Sequence, residues 1–251
     1  MNAAGARGEQ GAFSMEGKRE GSRREELRAG PGAGPRRAVV FVNGEYEDEE
    51  FYRRLFAAAD LTVAADGGAG FLLRNGLVPD VLVGDFDSLA AAQVEELAAA
   101  GARVVRHLER KDFTDGEAAV DEALTWGAQT VVLAGALSRS LDHVLGNLAV
   151  LRRVARRGCS ARLAAPGLSL AVLARAGELA VPAPAGTRVS LLALSDEAVV
   201  SLRGFDYPLD HGTIAAAGCL GIGNAVAASP AAVTLHAGEL AVSAFAELGW
   251  W

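Results

Sequence analysis

Five short apolar runs, at 38–42, 61–65, 81–83, 103–105 and 130–134, divide the first half of this chain, and helical spacing follows each of them. After the first run, acidic residues at 47–50 supply negative charge at a helix N-terminus, and Phe51, Leu55 and Ala58 make a core-facing stripe. A helix through Phe71, Leu72 and Leu73 closes at Asn75-Gly76; further helices are expected over 89–100, from Thr114, and over 141–157. Parallel strands need a crossover between them, and a helix is the usual one. Strand and helix in strict alternation therefore predict a parallel sheet covered by helices on both faces, occupying 36–160.

The character changes after Arg157. Short apolar runs at 168–173, 178–181, 188–194, 198–202, 232–235 and 239–243 are separated by Gly, Pro, Asp and Ser, without a helical period. Strands at this spacing predict a β-sandwich or barrel over 161–251, with His236-Ala237-Gly238 linking the last two runs as a hairpin. Residues 1–35 contain eight glycines among mixed Arg and Glu, and this tail is expected to be disordered. The net charge of −7 argues against nucleic acid as the main partner, because a phosphate backbone demands clustered Lys and Arg. No apolar stretch reaches the roughly 18 residues of a membrane span. The two cysteines, Cys159 and Cys219, have no CxxC spacing and suggest neither a disulfide framework nor a zinc site. The expectation is a cytoplasmic protein.

The chemistry-bearing residues cluster at the ends of the predicted strands. Gly84-Asp85-Phe86-Asp87-Ser88 closes the third run. If the chain stays extended, Asp85 and Asp87 point to one side and Phe86 to the other. Two like charges about 4 Å apart repel by roughly 4 kcal/mol at an effective dielectric near 20, and a divalent cation would offset this. An Asp-rich turn, with Asp87 or Ser88 capping a helix over 89–100, accounts for the same residues. Asp66 ends the second run before Gly67-Gly68, where a phosphate or sugar can approach backbone N–H groups; an N-cap aspartate reads equally well. Thr114 and Glu117 have the T-x-x-E spacing of a capping box, with Lys111 and Asp112 just outside the helix. Ser138, Arg139 and the helix N-terminus beyond them can hold phosphate oxygens, or Ser140 simply caps that helix with Asp142 in its first turn. The chain lacks a GxxxxGK loop, a GxSxG elbow, HExxH and a complete GxGxxG, which removes support for P-loop and hydrolase chemistry.

In order and spacing, ADGG, PDxxxGDFDS, KDFTD and LDHxLxN resemble the thiamine pyrophosphokinase family, and the resemblance continues through Gly204-Phe205-Asp206-Tyr207-Pro208-Leu209 and Leu220-Gly221-Ile222-Gly223-Asn224. It implies an α/β fold, a Rossmann-like domain followed by a β-sandwich, in a homodimer with active sites at the subunit interface. It also implies Mg²⁺-dependent transfer of diphosphate from ATP to the hydroxyl of thiamine, with AMP as the other product. By position, Asp66, Asp85, Asp87 and Asp112 match the family's acidic cluster around metal and nucleotide, with Asp85, Asp87 and Asp112 as the catalytic set. Asn43, Asp66, Gly67, Lys111, Thr114, Ser138, Arg139 and Asp142 fall on the ATP side, and Gly223 and Asn224 on the acceptor side. Two departures stand out. Ser138-Arg139-Ser140 replaces the family's Gly-Gly-Arg, and Gly223 stands where the family has a serine. A related pyrophosphokinase for another heteroaromatic alcohol, such as a hydroxymethylpterin, and a non-catalytic thiamine-binding paralogue are the competing readings.

Overall fold

The computed structural model describes residues 37–107, 112–138 and 140–249. The tail expected over 1–35, Lys111 and Arg139 lie outside the described residues. The first half alternates as the apolar runs require: β1 (Arg37–Phe41), α1 (Glu49–Ala57), β2 (Leu61–Ala65), α2 (Gly67–Arg74), β3 (Val81–Gly84), α3 (Ala91–Ala99), β4 (Arg103–Arg106), α4 (Asp115–Thr125), β5 (Thr130–Ala134) and α5 (Leu141–Arg156). β6 (Ser160–Ala165) follows, and these six strands lie parallel in the order β4-β3-β2-β1-β5-β6.

Both faces of this sheet are covered, which is why its strands read as continuous apolar runs. Val40 and Val42 pack with Val120 of α4 and Leu151 of α5. Their neighbours Val39 and Phe41 face the other way, toward Phe51 of α1, Leu72 of α2 and Leu97 of α3. Strand order reverses between β1 and β5, the position where open α/β sheets leave a crevice at their carboxyl edge. In α1, Asp48 accepts a capping hydrogen bond from the Phe51 N–H at 3.0 Å. The buried stripe of that helix is Phe51, Tyr52 and Leu55; Ala58 has passed to the C-cap.

The large sheet continues beyond residue 160. β7 (Leu168–Leu173), β14 (Leu240–Ala244), β9 (Arg188–Ala193) and β12 (Asn224–Ala225) add to β6 in that order, each antiparallel to its neighbour, to give ten strands. A separate antiparallel sheet of four runs β11 (Leu209–Ala215), β10 (Glu197–Arg203), β13 (Ala231–Ala237), β8 (Gly177–Val181). The two share a core in which Leu191, Leu240 and Val242 of the large sheet meet Val181, Val200, Ile214 and Val233 of the small one.

The hairpin expected at His236-Ala237-Gly238 is not formed. β13 pairs with β10 and β8, whereas β14 pairs with β7 and β9, so this turn carries the chain from one sheet to the other. Gly238 is needed there, because it lies at φ 81° and a Cβ would sit 2.2 Å from the Glu197 carbonyl oxygen. Glu239 completes the passage. Its N–H donates to Ser195 Oγ at 2.9 Å, its carbonyl accepts from the Leu194 N–H at 2.8 Å, and its buried carboxylate takes hydrogen bonds from Arg152 and Arg156 of α5.

The hydrogen bond from Arg156, opposed by burial and reinforced by Arg152, holds the Glu239 carboxyl below its ordinary range. A carboxyl depressed in the folded state adds stability above its unfolded pKa, and that stability is lost as pH falls through the folded pKa. Glu239→Gln should therefore lower the urea midpoint at about pH 7, and the gap from the parent chain should narrow at about pH 3. A gap of equal size at both values would contradict the ion-pair account.

Candidate active site

At the carboxyl edge, three adjacent parallel strands each deliver polar side chains within three residues of their ends: Asn43 after β1, Asp66 after β2, Asp85 and Asp87 after β3. The approach of the first turn of α2 to the end of β1 requires glycines. A Cβ on Gly67 would lie 2.3 Å from Asn43 Oδ1, and one on Gly68 would lie 2.2 Å from the Phe41 carbonyl oxygen. Asn43 thus lies directly against the first turn of α2.

Asp66 occupies the N-cap position of α2 but makes no side-chain capping bond, which rules out the purely capping role. Its backbone sits at φ 37°, an uncommon value for a residue with a side chain. Such strain persists where surrounding structure enforces it, and it clusters at functional sites. The extended geometry expected from Asp85 to Asp87 is also absent. Phe86 turns left-handed at φ 64° and buries its ring in the core under α1–α3, with the Arg106 guanidinium 4.8 Å above it. The Asp87 N–H bonds back to Asp85 Oδ1 at 3.3 Å. The two carboxylates still converge, through a kink anchored by Phe86 rather than through strand pleat. Helix α3 begins two residues later than expected. Ala90 is its N-cap, and its N–H is taken by Gln93 Oε1 at 3.0 Å, so neither Asp87 nor Ser88 caps it.

Ser88 is instead the residue that sequence reasoning missed. Its hydroxyl donates to Asp66 Oδ2 at 2.5 Å. The other oxygen, Oδ1, is buried and has no hydrogen-bond partner among the described residues. Burial raises the Asp66 carboxyl above its ordinary range; the Ser88 hydrogen bond opposes this, and the charges of Asp87, Asp115 and Asp85 add to it. One carboxylate oxygen from each of Asp66, Asp85 and Asp87 lies within 4.8 Å of the others. A buried anionic oxygen with no partner, beside two more carboxylates, fits a hard divalent cation such as Mg²⁺, which takes oxygen ligands and keeps several waters.

The remaining candidates are not part of this group. Asp112 is exposed on the loop before α4 and lies outside the three-carboxylate set. Thr114 caps α4, accepting from the Glu117 N–H at 3.1 Å, as the T-x-x-E spacing requires. Beyond β5, Ser138 Oγ accepts from the Ser140 N–H at 3.2 Å. Ser140 gives no side-chain cap to α5; its hydroxyl donates to the exposed Asp142. Asn147, which closes the LDHxLxN pattern, donates to the Ala136 carbonyl at 2.9 Å and ties this loop to α5. Far along the chain, Asn224 is buried and engaged on both ends of its amide. Oδ1 accepts from the Tyr207 N–H at 3.1 Å, and Nδ2 donates to the Tyr207 carbonyl at 2.9 Å. The exposed Gly223 donates its N–H to Ser190 Oγ at 3.1 Å, so a hydroxyl from β9 approaches the position where the family's serine is absent.

Without a cation, Asp66 is a liability to the fold, since an ionised carboxylate is held partly desolvated among like charges. Asp66→Asn should leave the metal-free melting temperature unchanged or higher, while the upward shift that Mg²⁺ gives the parent chain should vanish. A metal-free Tm that falls by several degrees, or a Mg²⁺ shift that persists, would contradict this assignment.

The geometry agrees with comparisons to known proteins. The family model for the catalytic domain of thiamin pyrophosphokinase matches residues 52–163. The thiamine pyrophosphokinase of Bacillus subtilis is 26% identical over 193 residues, covering 76% of this chain and 85% of that protein. Its crystal structure superposes with a TM-score of 0.72, over 84% of this chain and 100% of that one, at 24% identity. A thiamin pyrophosphokinase structure from Geobacillus thermodenitrificans gives a TM-score of 0.71 at 28% identity, over 84% of this chain and 98% of that one. Thiamine pyrophosphokinase 2 of Arabidopsis thaliana is 30% identical over 145 residues, which span 48% of this chain and 52% of that relative. Both solved structures carry the same mixed α/β arrangement of a large sheet beside a separate antiparallel one. Its acidic edge, its topology and these likenesses together support the thiamine pyrophosphokinase family as the one this chain resembles.

Proposed function

We propose that this protein is an ATP:thiamine diphosphotransferase, producing thiamine diphosphate and AMP. The observation that carries the reading is the group of Asp66, Asp85 and Asp87 at the carboxyl edge of the parallel strands, with Asp66 Oδ1 buried and unpartnered. In the proposed reaction the acceptor hydroxyl oxygen forms a bond to the β-phosphorus of ATP. The bond from that phosphorus to the oxygen bridging the α- and β-phosphates breaks, AMP leaves, and the hydroxyl proton passes to an aspartate, a role we assign to Asp112. Such a transfer needs little covalent help, so positioning and charge neutralisation supply most of the acceleration.

Asp66, Asp85 and Asp87 would hold Mg²⁺, whose contribution when bound is to neutralise charge on the phosphate oxygens. Ser88 would keep the Asp66 carboxylate turned so that its second oxygen is presented. Asn43, Gly67, Thr114, Ser138 and Asp142 belong to the ATP side in this reading. Lys111 and Arg139, outside the described residues, are proposed to contact phosphate. Gly223 and Asn224 are assigned to the thiamine side, with Asn224 shaping the 205–208 loop through Tyr207. We read the fold as a Rossmann-like unit over 36–160 that serves nucleotide and metal, followed by a β-sandwich over 161–251 that serves acceptor and subunit contact. The enzyme would act as a cytoplasmic homodimer. No helix among the described residues is long and apolar enough to cross a membrane.

The deciding experiment is AMP release from ATP by the purified chain, with thiamine and with a hydroxymethylpterin as acceptors, each with and without Mg²⁺. The proposal predicts Mg²⁺-dependent AMP with thiamine only. Release with the pterin alone would reassign the acceptor, and thiamine binding without AMP release would make this chain a binding protein.

A further inference from the structure

The strand-order reversal between β1 and β5 is where an open α/β sheet usually leaves a crevice for its ligand, and in this chain a tyrosine fills it. Tyr46 comes from the loop after β1. Its hydroxyl lies 2.5 Å from the Val42 carbonyl oxygen, at the end of β1, and 3.4 Å from the Ala134 carbonyl oxygen, at the end of β5. Burial, with the neighbouring Tyr52 second, raises the phenol well above its ordinary value, so the hydroxyl keeps its proton and donates it to Val42. The Phe71 ring of α2 stacks on the Tyr46 ring at 4.1 Å between centroids and 7° from parallel, and Tyr52 of α1 meets it edge-on at 4.8 Å.

Two glycines make room for this wedge. A Cβ on Gly135, which lies at φ 70°, would sit 2.4 Å from Tyr46 Cζ, and a Cβ on Gly44 would sit 1.6 Å from the Gly135 carbonyl oxygen. The loops after β1 and after β5 are therefore interlocked around one ring. The first of them carries Asn43, directly before Gly44; the second carries Ser138 and runs on to Asp142. Asn147 holds the second loop to α5 through the Ala136 carbonyl, and Phe71 holds the ring to α2, so Tyr46 is the contact through which the two sides meet.

We infer that Tyr46 is a positioning residue for the nucleotide: its ring closes the reversal crevice and its hydroxyl ties that ring to β1, which fixes the spacing between the Asn43 loop and the Ser138 loop and leaves the nucleotide to bind across them, beside the acidic edge. The inference rests on the assignment of those loops to ATP. Tyr46 acts through the two loops and touches no reacting atom. Holding both loops in place before the ligand arrives removes an ordering cost from binding.

The test is calorimetric binding of the Mg²⁺ complex of a non-hydrolysable ATP analogue to the full chain, with hydrogen exchange followed at the amides of 43–46 and 134–138. Tyr46→Phe keeps the ring and its stack on Phe71 and loses only the hydroxyl, so it should weaken the analogue by about two- to tenfold. Tyr46→Leu should weaken it by at least about tenfold and speed exchange in both loops. Neither variant should change the KM for thiamine, and Tyr46→Phe should keep the Tm shift given by Mg²⁺ alone, because the three carboxylates follow β2 and β3. Val94→Ala, in the same core but on α3, is the control for general destabilisation: it should lower Tm and leave the analogue affinity unchanged. Affinity unaltered in both Tyr46 variants, or lowered as much by Val94→Ala, would overturn the inference and leave the ATP reading standing. A parent chain that binds no analogue would overturn both.

Discussion

Asp66, Asp85 and Asp87 carry like charge, yet the fold holds one carboxylate oxygen of each within 4.8 Å of the others. At that separation each pair repels by about 3–4 kcal/mol if the effective dielectric is near 20. Against a net stability of about 5–15 kcal/mol for a typical domain, that is a large strain to concentrate in one place. The surrounding structure is arranged to bear it. The left-handed backbone of Asp66 is enforced by the β2–α2 junction, where Gly67 and Gly68 bring that helix against Asn43 and Phe41. The kink between Asp85 and Asp87 is enforced by Phe86, whose ring is locked into the core beneath α1–α3. Ser88 satisfies one oxygen of Asp66, and the other has no partner among the described residues. A divalent cation bound among the three carboxylates would offset these repulsions. Electrostatic catalysis requires such preorganisation.

The rest of the molecule keeps that edge rigid. Strands β1 to β6 are parallel, and the antiparallel strands β7, β14, β9 and β12 extend the same sheet rather than beginning a detached one. Because β14 belongs to the large sheet and β13 to the small one, the turn at Gly238 joins the two halves covalently. The Glu239 ion pairs with Arg152 and Arg156 then fasten that turn to α5, whose N-terminal end adjoins the Ser138 loop.

Much of this was legible in residue order because it depends on local chemistry. Runs of Val, Leu and Ala between helical stripes read as covered parallel strands, the T-x-x-E spacing placed Thr114 at the start of α4, and Asn75-Gly76 ended α2. The carboxylates were legible as residues, but their geometry was not, because the left-handed turn at Phe86 comes from packing of its ring and not from any local turn residue. Strand partners were the least legible. A short loop with glycine between two apolar runs is what a hairpin looks like, and nothing local to 236–239 records that β13 and β14 find other partners. β6 escaped notice because Ser160, Arg162, Leu163 and three alanines lack the β-branched residues that announce a strand, and β11 because Asp210, His211 and Gly212 interrupt it. Ser88 was read as a cap because its distant partner, Asp66, lies 22 positions earlier in the chain.

The central claim is that the bare oxygen of Asp66 exists to hold a cation together with Asp85 and Asp87. A crystal structure with Mn²⁺ and a non-hydrolysable ATP analogue, read by anomalous scattering, addresses it directly. The account predicts one Mn²⁺ peak bonded to Asp66 Oδ1 and to a carboxylate oxygen of Asp85 or Asp87, with analogue phosphate oxygens completing the shell. Mn²⁺ held by the nucleotide alone, with Asp66 Oδ1 still unligated, would contradict it.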